Sequence, residues 1–163
     1  MAPIVSETEI ARPPEEVFAY VTNPSRFAEW QVDATSASMK GDGLPRVGSR
    51  YATTRLIGGA VRTTTTSEIT EINPPRSWAA RGTGGPVRET VRYTVEPLED
   101  DARSRVTIQL DFEGRGIGRL VVPLVVRRQA RKEMPINCRN LKERLEAGNR
   151  HVPRVRGDGS PAA

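Results

Sequence analysis

A chain of 163 residues is long enough for one domain with a packed core or a lined cavity. Its apolar share is 36% and its aromatic share 5%, and no run of eighteen apolar residues occurs, which excludes a membrane-spanning helix. The net charge of +5 is uneven: residues 1–114 carry 13 Lys/Arg against 16 Asp/Glu, whereas residues 115–163 carry 12 against 4.

So basic a C-terminal part attracts an acidic partner, nucleic acid or an anionic lipid surface; the simpler reading is a solvated helix face followed by a charged tail. Residues 115–163 hold no Phe, Tyr or Trp. Nucleic-acid binding by stacking is therefore not expected. Cys138 is the only cysteine, so no intrachain disulfide can form. With no basic and apolar leader before Glu7 and Glu9, the expected location is the cytoplasm.

Ile4 to Ala11 reads as a first strand, stopped by Pro13 and Pro14, which supply no ladder donor. The same prolines preset a helical turn, and Glu15 and Glu16 suit the positive end of its dipole. Val17, Phe18 and Val21 give that helix one apolar face. Asn23 and Pro24 are the cap and first position of a second short helix carrying Phe27 and Trp30.

Val32 to Lys40 is a second strand, followed by the turn signal Gly41-Asp42-Gly43. Gly48 to Ile57 and Val61 to Ile72 flank Gly58-Gly59 and read as a hairpin. Asn73-Pro74-Pro75 interrupts, and Ser77 to Gly82 resumes. The clearest alternation lies in Val87 to Val95 and Val106 to Phe112, two half-buried antiparallel strands joined by a turn at Pro97 to Asp101. From Gly118 to Ala147 the period changes: Met134, Cys138, Leu141 and Leu145 form one helical stripe, and Leu120 and Leu124 start the same helix. Pro135 inside it predicts a kink or break near Ala130 to Lys132. Gly148 stops the helix, and residues 148–163 are expected to form a disordered basic tail.

The order strand, two short helices, six strands, long helix resembles the START-like, helix-grip proteins of the polyketide cyclase/dehydrase and lipid-transport superfamily. The resemblance rests on Ile10 through Trp30, Val47-Gly48-Ser49, Glu68 through Arg76, and Leu141 through Glu146. It implies an α+β domain over residues 1–147, in which a curved antiparallel sheet wraps a long C-terminal helix around an apolar cavity. It further implies binding of a small hydrophobic molecule such as a lipid or polyketide, or cyclisation or dehydration of one. No catalytic motif runs through the superfamily, so no catalytic residue is carried over.

A cavity of this kind needs apolar walls and a few orienting polar groups. Tyr51, Thr53 and Arg55 share one strand face. An inward Arg55 would bind a carboxylate or enolate oxygen; an outward one, the simpler expectation, is a solvated sheet residue. Glu89 and Tyr93 are the polar groups on the odd face of their strand. Among apolar neighbours Glu89 would have a raised pKa and serve as acid or base, although a strand-end glutamate in water is simpler. Tyr93 offers one donor on an apolar ring, or plain packing. Trp30 and Trp78 are wall or wedge residues, and Met134 and Cys138 line the roof, Cys138 as a packed thiol rather than a nucleophile.

His151, the one histidine, lies in the tail, which excludes a Ser-His-Asp or Cys-His site. One His and one Cys give no zinc spacing, and no metal or cofactor is expected. Gly114 to Gly118 lacks the dinucleotide-binding spacing, and Arg156-Gly157-Asp158 is a chance tripeptide. The expected partner is a small hydrophobic molecule, with no nucleic acid, no membrane span, and peripheral membrane contact left open.

Overall fold

The computed structural model describes residues 2–84, 87–114 and 121–148. Seven strands form one antiparallel sheet in the order β1-β7-β6-β5-β4-β3-β2, with β1 Ile4–Ile10, β2 Ala34–Lys40, β3 Arg50–Ile57, β4 Val61–Asn73, β5 Ser77–Gly82, β6 Val87–Leu98 and β7 Arg103–Gly114. The first and last strands in space are thus the two that flank the small helices. This places the segment from α1 (Pro14–Val21) to α2 (Phe27–Trp30) across one end of the sheet. The long helix α3, Val121–Ala147, packs on the face that this segment leaves open.

Local chemistry accounts for the entry segment as expected. Pro14 opens α1, with Glu15 and Glu16 in its first turn. Asn23 accepts from the Ser25 backbone N–H at 3.1 Å, capping a single 3₁₀ turn, Pro24–Arg26, that runs directly into α2. The hairpin between β3 and β4 turns at Gly58 and Gly59, both with positive φ, where side chains would be strained.

Alternation decides which residues face inward. On β6, Val91, Tyr93 and Val95 are buried, and on β7 so are Ser104, Val106 and Ile108, while Thr90, Glu113 and Glu96 are exposed. Both strands are longer than their apolar pattern. They extend to Leu98 and begin at Arg103, so Pro97 lies within β6, opposite Ser104, and the turn tightens to Glu99 through Ala102. Proline is tolerated there because only the last pairs of the ladder remain to be made.

The C-terminal helix corrects one expectation. It runs as one helix from Val121 to Ala147 with Pro135 inside, so the expected break is absent, and its two halves are each tied to the sheet. Arg127 donates to Asp111 at 2.7 Å, Gln129 Nε2 donates to the Leu56 carbonyl at 3.0 Å, Lys142 donates to the Glu9 carbonyl at 2.9 Å, and Glu146 accepts from the Ala11 backbone N–H at 2.9 Å. Met134, Cys138 and Leu141 form the buried stripe, and Leu124, in the first turns of the helix as expected, is exposed. Leu120, the glycine segment up to Gly118, His151, Arg156-Gly157-Asp158 and the tail from residue 149 onward lie outside the described residues.

Candidate functional site

A cavity of about 670 Å³ lies between the inner face of the sheet and α3. One wall is apolar, made by Ile108, Leu110 and Phe112 of β7 with Val126, Ala130 and Met134 of α3. The opposite wall is the hydroxyl-rich hairpin, Thr63 to Ser67 on β4. Arg55, Glu89, Tyr93, Gln31, Asp33 and Glu133 are among the other polar groups, Lys40 and Arg50 also belong to the lining, and Trp30 closes one side.

Nine residues stood out in the sequence, and five of them line this space: Trp30, Arg55, Glu89, Tyr93 and Met134. The other four are buried beside it. Tyr51, Thr53 and Trp78 share the inward face of the sheet, but an aromatic cluster fills that end. Phe27 meets Trp30, Tyr51 and Trp78 edge-on at 5.8–6.5 Å, and Trp78 stacks on Tyr93 with ring centres 5.2 Å apart. Cys138 packs on the helix stripe one turn beyond Met134, where burial pushes its thiol pKa up and a contact with Ser6 acts the other way.

Arg55 points inward, against the simpler expectation. The parity of β3 puts it on the face of Tyr51 and Thr53, and the residues around it are acidic. Its Nη1 donates to Asp33 Oδ1 at 2.9 Å, and its Nη2 lies 4.0 Å from Glu89. Burial opposes the charge, but Glu89 and Asp33 outweigh it and hold the guanidinium more firmly protonated. Its Nε, buried without a partner, remains a free donor. Glu89 is likewise not at a solvated strand end: it lines the cavity opposite Phe112 and is 26% exposed.

Burial drives the Tyr93 hydroxyl pKa well above its ordinary value, so it is a neutral donor at any physiological pH. Its hydroxyl faces Gln31, whose Nε2 donates to it at 3.5 Å. Of the polar lining residues that escaped the sequence reading, three bear on the chemistry. Asp33 and Gln31 sit on the short connection from α2 to β2, which α3 pins in place: Asn140 donates to the Trp30 carbonyl at 3.2 Å, and Asn137 accepts from the Val32 backbone N–H at 2.9 Å. Glu133 is the third. Burial raises its pKa, with a hydrogen bond from Gln129 acting in the opposite sense. Its signal was present in the chain: Gln129, Glu133 and Asn137 recur at intervals of four, a polar stripe beside the apolar one.

Chemically, the site offers an apolar wall, a guanidinium held between two carboxylates, the exposed cations Lys40 and Arg50, a neutral phenol and a carboxyl group whose pKa burial raises. Among the described residues no group of three or more His, Cys, Asp or Glu side chains is arranged to hold a metal ion, and no helix is long and apolar enough to cross a membrane.

Comparison with solved structures finds the same architecture widely. The chain is similar to the Zhui aromatase/cyclase from Streptomyces sp. R1128, with a TM-score of 0.77 and 14% identity over 91% of this chain and 96% of the other. It is similar to a START superfamily protein from Mycobacterium smegmatis, with a TM-score of 0.72 and 16% identity over 90% and 99%. The di-domain ARO/CYC protein BexL of the BE-7585A biosynthetic pathway gives a TM-score of 0.70 and 15% identity over 92% of this chain, which spans 48% of that longer protein. At such identities the likeness is one of fold. No curated protein matches in sequence. The model of the family described as polyketide cyclase / dehydrase and lipid transport matches residues 1–146, nearly the whole of the helix-grip domain. The chain belongs to that polyketide cyclase/dehydrase and lipid-transport family.

Proposed function

We propose that the protein binds one small, largely hydrophobic molecule bearing carbonyl or hydroxyl oxygens, such as a lipid or polyketide, in the cavity under α3. The observation that carries this reading is the meeting, in one space of about 670 Å³, of the wall Ile108, Leu110, Phe112 and Met134 with the donors Arg55 and Tyr93. Apolar contact supplies the affinity, and a few fixed polar groups supply the orientation. Trp30, Arg55, Glu89, Tyr93 and Met134 are the ligand-contacting residues in this reading, joined by Gln31, Asp33 and Glu133. Tyr51, Thr53, Trp78 and Cys138 support them from behind.

One observation favours a second reading, a cyclase/dehydrase-type enzyme. Glu133, whose pKa burial raises, faces the same space as the cluster of Asp33, Arg55 and Glu89. A dehydration needs one carboxyl group to take a proton and another to give one. Glu89 would take the proton from a carbon next to a carbonyl, and Arg55 would stabilise the enolate oxygen. Glu133 would give its proton to the hydroxyl that leaves as water, while the cavity holds the chain in one fold. The family description and the aromatase/cyclase neighbours agree with either reading.

The test is native mass spectrometry of protein purified from several hosts, followed by extraction and identification of the bound molecule. The expected result is a stoichiometric adduct that the variant Arg55→Gln retains poorly. An empty protein from every host, together with no binding across a panel of lipids and polyketides, would count decisively against both readings. Release of a ligand that has lost one water relative to the added compound would select the second.

A further inference from the structure

The exposed face of α3 has a composition that the cavity does not explain. Leu124, Val125, Arg128, Arg131, Lys132 and Arg139 are all exposed and, at about 100° per residue, fall within an arc of about 140°. Ile136, partly exposed, lies at the edge of the same arc. Leu124 and Val125 are 56% and 52% exposed, unusual for large aliphatic side chains beside four cations. The one acidic residue of 124–139 is Glu133, and it points the other way, into the cavity.

The β3–β4 hairpin adds to this face. Gly58 at its tip donates to Gln129 of α3 at 2.9 Å, and Val61 and Arg62 just beyond the tip are exposed. Ile57 and Val126, neighbours of this surface in the chain, line the cavity. Cations interspersed with exposed aliphatic groups, with no carboxylate on this arc until Glu143 one turn past Arg139, match an anionic lipid surface: charge attracts the helix, and aliphatic side chains enter the headgroup boundary. A nucleic acid would call for stacking aromatics, which this face does not have.

We propose that this outer face of α3, with the β3–β4 hairpin tip, docks the protein on an anionic membrane surface. Docking there brings the cavity wall within reach of the bilayer, so a hydrophobic ligand can be exchanged without crossing water; this consequence alone rests on the ligand-binding reading above. The docking itself does not.

The test is co-sedimentation of the full chain with vesicles of phosphatidylglycerol and phosphatidylcholine in equal parts, against vesicles of phosphatidylcholine alone. Binding is expected to the anionic vesicles only, and to fall steeply with added salt. Arg128→Glu/Arg131→Glu is expected to weaken it on the order of 30-fold or more, and Leu124→Ser/Val125→Ser by roughly tenfold. Circular dichroism melts of both variants check that these exposed changes leave the fold intact. Equal binding to both vesicle types, or binding that survives both variants, overturns the proposal. So does retention on immobilised polyglutamate that Leu124→Ser/Val125→Ser leaves unchanged, which would assign the face to an acidic protein. Ligand capture by native mass spectrometry is read in parallel, so loss of docking with ligand retained separates the two proposals.

Discussion

Arg55 donates to Asp33 at 2.9 Å while Glu89 stands 4.0 Å from its other Nη, so a single guanidinium serves two carboxylates inside the cavity. The side chains are 21%, 15% and 26% exposed, enough desolvation for the charges to depend on each other and enough water to moderate the cost. Arg55→Gln leaves both carboxylates facing one another. It is expected to cost about 1–3 kcal/mol in urea unfolding and to reduce ligand occupancy about tenfold. Asp33→Asn should cost less, since Glu89 still neutralises Arg55. The double variant Asp33→Asn/Arg55→Gln should recover part of the loss, and strict additivity of the two single changes would refute the coupling.

Glu133 gives the cavity a pH signature. Its folded pKa is raised, by burial first, above the 4.5 of an ordinary glutamate. A carboxyl group shifted in that direction favours the folded state while protonated, and the folded state loses this advantage as pH rises through the raised pKa. Glu133→Gln removes the titration and keeps the hydrogen-bonding ability. Thermal melts of the two proteins should therefore coincide at low pH and diverge as pH rises, with the variant the more stable. A constant offset at all pH values would show that Glu133 is not desolvated in solution.

Much of the fold was legible because antiparallel strands with one wet face write their parity into the chain. Val91, Tyr93 and Val95, and Val106, Ile108 and Leu110, all face inward as their alternation requires. The site was legible in parity but not in depth. Tyr51, Thr53 and Arg55 share a face, yet only Arg55 reaches the cavity, because Phe27 and Trp78 fill the space beneath Tyr51. Curvature and the packing of α2 against the sheet decide that, and neither has a local pattern. Asp33 was missed because it sits on a connection, and Glu133 because an apolar stripe draws the eye from the polar stripe next to it. At Pro135 the helix continues where the local rule predicts a break, tied to the sheet on both sides of it.

Cys138 supplies a kinetic check on how tightly α3 is held. Its side chain is 4% exposed, and burial raises its thiol pKa, so both access and thiolate fraction are low. Native protein should react with a thiol reagent orders of magnitude more slowly than urea-unfolded protein, with a rate that follows helix opening. Prompt native labelling would mean that α3 lifts from the sheet readily, and would place the cavity in an open, exchanging state.

Trp78 separates the packing role of the aromatic cluster from any contact with ligand. It is fully buried, stacks on Tyr93 at 5.2 Å, and does not line the cavity. Its indole N–H has no partner, so Trp78→Phe forfeits volume but no hydrogen bond. That variant is expected to lose about 1–2 kcal/mol, and Trp78→Ala about 3–5 kcal/mol, because the void beside Tyr93 cannot collapse within a rigid sheet. Removing the ring also frees Tyr93 to tilt, which should loosen ligand binding even where the domain remains folded. Urea unfolding and native mass spectrometry on the same Trp78→Phe sample distinguish the two effects. A variant that loses stability in the expected range while binding as tightly as the parent would show that Tyr93 is positioned by Trp30 and Gln31 instead.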